Sequence, residues 1–291
     1  MNMTGTYEKL RSLLILFVLG VLPIAGCATL ESSSSSRASP SLAASDDRLG
    51  ATLWQTTSAE YRVLTQSIYG AAKSHLEHAL TDHLWTALPV QGETSQRLPP
   101  AVIMDIDETV IDTSPFQTLL IQNRTRFNRT LWREWSTRSK PGPVPGALEF
   151  ISFAQSRGVT VFFVTNRDYA TEPLTRNHLT SAGIKLPDHI DTVLSQNEQP
   201  EWGIDKGSRR DFIARSYRVL MLFGDDLGDF ISEYRASPQV RMSEAMKHNE
   251  WGKKWFMLPN AMYGSWESSL YDFNSGLTME EISRRKFQQL R

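Results

Sequence analysis

The 291 residues carry 31 lysines and arginines against 32 aspartates and glutamates, for a net charge of −1, and 40% are hydrophobic. That balance leaves no general footprint for a nucleic acid polymer, and the length supports one sizeable core with an insertion rather than two clear domains. Cys27 is the only cysteine, which excludes an internal disulfide.

In chain order, Lys9 and Arg11 come first, ahead of an apolar run over residues 13–22. A charged region followed by a short hydrophobic one is the pattern of a secretory leader. The run is shorter than the ~20 residues that span a membrane. Ala25 and Gly26 then stand just before Cys27, an arrangement similar to a bacterial lipobox. The expectation is a signal peptide over 1–26, lipidation at Cys27, and a flexible Ser-rich tether over 27–50.

The folded part is expected over 51–291. Thr57-Ser58-Ala59-Glu60 has capping-box spacing, and Tyr61, Leu64, Ile68, Ala72, Leu76 and Leu80 form a helical stripe behind it. His75, His78 and His83 lie on or near this helix without any metal-binding pattern, so solvated or packing roles are expected. The apolar run over 101–104 reads as a strand and leads into Asp105-Ile106-Asp107-Glu108-Thr109. Ser114 before Pro115 marks a helix start. An insertion over about 114–140 follows, polar, basic and aromatic, with Phe127, Trp132 and Trp135. The two tryptophans are three apart on one helical face; they either anchor that helix or touch a ligand. Residues 147–157 and 171–182 read as helices stopped by Gly158 and Gly183, and 159–164 and 219–223 as buried strands. Strands alternating with helices predict an α/β fold on a mainly parallel sheet, with ligands at the carboxyl ends of its strands.

Those ends carry the chemistry. In an extended strand Asp105 and Asp107 share a face, and two like charges so close need a cation or a shared proton between them. Chance places such a D-x-D-x-T triplet in roughly 4% of chains this long, at about 5% usage of each type. Three later segments strengthen it. Thr165-Asn166-Arg167 ends the second strand with a hydroxyl, Lys206 precedes a helix, and Gly224-Asp225-Asp226-Leu227-Gly228-Asp229 closes a third strand with more acids. Acids, a hydroxyl and a lysine at strand ends are what Mg²⁺-assisted phosphoryl transfer needs.

The set Asp105/Asp107/Thr109, Thr165, Lys206 and Asp225/Asp229 resembles the four ordered motifs of the haloacid dehalogenase superfamily. The resemblance narrows to the class C acid phosphatases, which are bacterial surface lipoproteins, and covers nearly all of the chain after the leader. The closer match rests on Trp54, Glu60, Tyr61 and Tyr69 before the first motif and on Asp112-Thr113-Ser114-Pro115-Phe116 after it. Trp132 and Trp135, Arg209-Arg210, and the group Pro259-Asn260, Tyr263-Gly264 and Trp266-Glu267 complete it. Asp226 departs from the pattern, since asparagine is expected there, and its extra charge bears on metal affinity or pH response.

The resemblance implies a haloacid dehalogenase-like Rossmannoid sheet with a small helical cap and an N-terminal helical segment. It also implies a Mg²⁺-dependent acid phosphatase that hydrolyses nucleoside 5′-monophosphates, nicotinamide mononucleotide and aryl phosphates. Asp105 is then the nucleophile that becomes an aspartyl-phosphate, and Asp107 the general acid and base, its backbone carbonyl also binding metal. Asp225 completes the metal site with Asp105, and Asp229 supports it. Thr165 and Lys206 neutralise the phosphoryl charge, and Asn166 orients Asp107 or the phosphate. Tyr263 and Trp266, with Trp132 and Trp135, are candidates to stack on an aromatic leaving group, ordinary packing being the alternative for each pair. The expected location is the cell envelope, lipid-anchored, in the outer membrane of a Gram-negative bacterium, with which Ala28 is compatible. The competing reading is a non-catalytic surface lipoprotein that binds haem or a nucleotide.

Overall fold

The structure, a computed structural model, describes residues 46–290. The expected leader, Cys27, Ala28 and most of the tether lie outside the described residues. In chain order, α1 (Leu49–Thr57) and α2 (Ala59–Thr81) precede β1 (Pro100–Met104), and α3 (Ser114–Gln122), α4 (Arg129–Arg138) and α5 (Ala147–Ser156) separate it from β2 (Thr160–Asp168). Then come α6 (Glu172–Ser181), β3 (Val193–Gln196), α7 (Gly207–Ala214), β4 (Arg218–Gly224), α8 (Pro238–Ala245), β5 (Trp255–Met257), α9 (Ser265–Ser269) and α10 (Met279–Gln288). No helix among the described residues is long and apolar enough to cross a membrane.

The five strands form one parallel sheet in the order β3-β2-β1-β4-β5. Alternation along each strand builds two cores. Val102 and Met104 of β1 and Val161 and Phe163 of β2 join Tyr69, Leu76, Phe150 and Ile151 of α2 and α5 on one face. Ala101, Ile103, Phe162 and Val164 turn to the other face, with Trp202, Ile213, Phe230 and Trp255. Both faces are covered, so the strands read as continuous apolar runs. The chain runs outward from β1 through β2 to β3, then returns to the other side of β1 with β4. The β1/β4 boundary is therefore a topological switch point, where such sheets open a crevice for ligands.

Three expectations about the amino-terminal part are corrected. The tether does not reach residue 50, because α1 begins at Leu49 and Arg48 donates to the Thr125 carbonyl at 2.9 Å. The cap of α2 is Ser58, which accepts from the Tyr61 amide at 3.1 Å, while Thr57 is still in α1 and bonds back to the Leu53 carbonyl. The buried stripe is Tyr61, Thr65, Tyr69, Ala72, Leu76 and Ala79, and Leu64 is exposed. Thr65 enters the core because its hydroxyl donates to the Tyr61 carbonyl, which satisfies its polar atom inside the helix. His75 and His78 pack against Trp85.

Candidate active site

β1 ends at Met104, so strand alternation is not what aims the two acids of the first motif. The Asp105 amide still donates to the Phe223 carbonyl, after which the chain turns tightly, Val110 and Ile111 both donating to the Ile106 carbonyl. Glu108 takes a left-handed conformation in this turn (φ 59°). Its buried carboxylate accepts from Gln55 of α1 and from Thr113, contacts that hold the strained residue in place. Burial, with Asp112 adding to it, pushes the Glu108 carboxyl up to about 8. Tyr69 of α2 donates to the Thr109 carbonyl at 2.6 Å. The turn is thus fixed by the helices before it.

Asp105, Asp225 and Asp229 present carboxylate oxygens within 4.8 Å of one another. Gly224 makes this approach possible, since a Cβ there would overlap the Asp229 side chain. Thr109 donates to Asp225 Oδ1 at 3.1 Å and Asn260 to Asp225 Oδ2 at 2.8 Å, which orients that acid. Lys206, just before α7, bonds both Asp105 and Asp229, the latter at 2.6 Å. Burial works against its ammonium, but the two carboxylates prevail and raise its pKa. Burial first, then the mutual repulsion of the acids, raises Asp225 and Asp229 above the ordinary carboxylate range. One ammonium against three buried carboxylates leaves a surplus of negative charge on hard oxygen donors, a set that fits a divalent cation of the Mg²⁺ type.

Asp107 stands apart from this cluster as a side chain. Arg167 holds it through two nitrogens, Nε to Oδ2 at 3.0 Å and Nη2 to Oδ1 at 2.6 Å. Behind it, Arg167 Nη1 meets His178 Nδ1 at 3.0 Å, and His178 Nε2 meets the Ser136 carbonyl of α4 at 2.8 Å. The carbonyl can only accept, so Nε2 carries the proton and Nδ1 accepts from the guanidinium. Burial, then the Arg167 charge, lowers the His178 pKa. The side chain that orients Asp107 is thus that of Arg167, while Asn166 Oδ1 accepts from Arg209 at 2.8 Å. Arg209 also donates to the Thr165 carbonyl, and Arg210 to the carbonyls of Gly228 and Asp229, so α7 ties the end of β2 to the loop after β4.

A cavity of about 840 Å³ opens over these groups. Asp105, Asp107, Asn166, Lys206, Asp225 and Asp229 line it, as do Trp132 and Tyr263. Three expected residues are not on its wall. Thr165 is buried beneath it, its hydroxyl accepting from the Arg167 amide at 3.1 Å. Trp135 stacks behind Trp132 (centroids 5.2 Å apart) and meets Phe116 and His178, so it anchors its partner. Trp266 is exposed and bonds the Tyr263 carbonyl of its own turn. Asp226 is absorbed in structure, its carboxylate accepting from Gly228, from the Ser265 amide and from the Ser265 hydroxyl. Arg167, Arg209 and Asn260 stand in the segments that carry the family resemblance, but nothing in the sequence assigns them these contacts, since their partners lie far away in the chain. Met279, Ile282, Ser283 and Lys286 of α10, which also line the cavity, carried no signal at all.

The family described as HAD superfamily, subfamily IIIB (Acid phosphatase) matches residues 42–266. A class C acid phosphatase from Bacillus anthracis has a similar structure, with a TM-score of 0.73 and 26% identity over 85% of this chain and 98% of that one. A second structure of that enzyme, with tungstate bound, gives 0.74 over the same shares. Two proteins of Glycine max, the stem 28 kDa and stem 31 kDa glycoproteins, are 21% and 22% identical over 55% and 47% of this chain. The matched region spans only 58% and 48% of their own lengths.

Proposed function

The chain belongs to the subfamily IIIB acid phosphatases of the haloacid dehalogenase superfamily, and on that premise we propose that it is a Mg²⁺-dependent phosphomonoesterase working through an aspartyl-phosphate. One observation carries the reading: Asp105, at the switch point of the sheet, sits against Lys206 and within 4.8 Å of the oxygens of Asp225 and Asp229. The tungstate found in the Bacillus anthracis enzyme supports it, since tungstate is a tetrahedral oxyanion of phosphate's shape.

Asp105, Asp225 and Asp229, with the backbone carbonyl of Asp107, would hold the metal. A divalent cation bound there would supply positive charge to offset that of the phosphoryl oxygens. A carboxylate oxygen of Asp105 forms the new bond to phosphorus as the ester P–O bond breaks. Asp107, held by Arg167, gives its proton to the departing oxygen. It then takes a proton from the water that cleaves the acyl phosphate and restores Asp105. Lys206 and the Asn166 region stabilise charge on the transferring group, while Thr165 sets the turn beneath them. The leaving group lies between Trp132 and Tyr263, which suits nucleoside 5′-monophosphates, nicotinamide mononucleotide and aryl phosphates, at acid pH. A non-catalytic lipoprotein that binds haem or a nucleotide has no need of a buried nucleophile beside an oriented second acid. The cell-envelope location and lipid anchor at Cys27 belong to this same proposal and rest on the leader pattern.

The test is a panel of phosphomonoesters assayed at several pH values, after exhaustive chelation and after Mg²⁺ is returned. Phosphate release that chelation stops and Mg²⁺ restores supports the reading. No release from any ester under any condition would overturn it.

A further inference from the structure

Residues 124–140 concentrate basic charge that the chemistry above does not use. They carry Arg124, Arg126, Arg129, Arg133, Arg138 and Lys140 against a single acid, Glu134, in a chain of net charge −1. Arg126, Arg129 and Arg133 line the cavity from this side, and Arg235 lines it from beyond β4. Among the described residues none of these four has a carboxylate within 4.0 Å, whereas the other cations on the wall are paired: Arg48, Arg167, Lys206 and Lys286. Two of the four are steadied without losing charge. Arg126 donates to the Leu277 carbonyl at 2.7 Å, and Arg235 lies over the Phe273 ring, 4.6 Å from its centroid.

Arg129 and Arg133 cost α4 stability. They form a like-charge pair at i,i+4. Arg129 also stands in the first turn, where the helix dipole disfavours a cation and no acid is present to offset it. Trp132 lies between them in sequence, and its ring centroid is 5.1 Å from the Arg167 guanidinium, which holds Asp107 at 2.6 Å. Trp132 thus links the Asp107 end of the cavity to the helix that carries Arg129 and Arg133.

We propose that this wall is a subsite for a second anionic group on the leaving group, so that the preferred substrates are phosphomonoesters whose alcohol itself bears a further phosphate linkage. The assignment rests on the phosphatase reading and deepens it. Guanidinium groups suit phosphate oxygens because they offer a planar fork of donors that binds them in pairs.

The test compares two substrates of equal bulk: a 5′-phosphorylated adenosine dinucleotide, and the same dinucleotide with a methylphosphonate linkage, which removes one charge. Both present the same terminal monoester. Two exposed ion pairs predict a kcat/KM ratio of about 2- to 30-fold in favour of the charged twin in the wild-type protein. High salt should reduce that ratio, and so should the Arg129→Gln/Arg133→Gln double variant, toward one. Equal turnover of the twins by the wild type overturns the subsite while leaving the phosphatase reading standing. So does a ratio that survives in the double variant, since the charge preference then originates elsewhere. No turnover of either twin, nor of adenosine 5′-monophosphate, overturns both.

Discussion

Replacing Arg167 by methionine removes the guanidinium that fixes Asp107 and keeps most of the side chain's bulk. The pair is bidentate, at 2.6 and 3.0 Å, with the Arg167 side chain only 3% exposed and that of Asp107 22% exposed. Hydrogen bonds to charged groups contribute about 1.5–3 kcal/mol each. The exposure of Asp107 screens part of that, so a net loss of about 2–3 kcal/mol is expected. For a domain of this size it corresponds to a drop in Tm of about 4–12 °C. General acid–base help is worth ~10²–10⁴-fold, and an unheld Asp107 should forfeit about 10²-fold of it in kcat for adenosine 5′-monophosphate. The loss should depend on the leaving group. A 4-nitrophenolate departs with little protonation, so 4-nitrophenyl phosphate should lose less than about fivefold, well short of what the acid supplies to a poor leaving group. Steady-state kinetics on both esters, with Tm measured in parallel, decide the matter. Equal losses on the two would refute the claim that Arg167 acts through the general acid.

His178 gives a pH-dependent prediction. Its folded pKa is lowered, so the native state binds fewer protons than the unfolded chain. Its contribution to stability should be complete above the unfolded value of about 6.5 and fall away as pH drops below it. His178→Asn should flatten that part of the Tm-against-pH curve, and an unchanged slope would remove His178 as its source. At the metal cluster, Asp225→Ala should abolish the rise in Tm that Mg²⁺ gives the wild type. Asp226→Ala should keep that rise while costing about 1–2 kcal/mol in the metal-free protein through loss of the turn cap; the opposite ranking would show the wrong member of the pair assigned to metal. Trp132→Ala should lower kcat/KM for adenosine 5′-monophosphate by about 5- to 150-fold, the worth of one base–aromatic stack. Trp266→Ala should leave it nearly unaltered. Equal effects of the two would place the aromatic contact elsewhere.

What the sequence made legible was local. The first motif could be read because a buried strand ending in two acids is a contiguous pattern, and Lys206 and Asp225 follow similar strand and helix boundaries. Strand and helix existence was equally plain, as in β1, β4, α5 and α6. Register over a single residue was not. Thr57 and Ser58 both suit a helix cap, and only the break between α1 and α2 selects Ser58. The grip of Arg167 on Asp107 joins residues 60 apart, and that of Asn260 on Asp225 joins residues 35 apart. No periodicity encodes such pairs. For Asp226 only the charge is visible in sequence, which bears on metal affinity or pH response, whereas its hydrogen bonds to Gly228 and Ser265 are not. Trp135 and Trp266 were grouped with Trp132 and Tyr263 on residue type, yet only the latter two line the cavity.

The central claim is that Asp105 carries the phosphoryl group between two displacements. Asp107→Asn removes the base of the second step and also the acid of the first, so the substrate is 4-nitrophenyl phosphate, whose leaving group needs little protonation. Mixing it with this variant, quenching in acid and measuring intact mass should reveal a single added phosphoryl group. Peptide mapping should then locate it on Asp105, and Asp105→Asn should never acquire it. A variant that turns substrate over with no phosphorylated protein at any quench time, or that carries the group on another residue, would contradict the account.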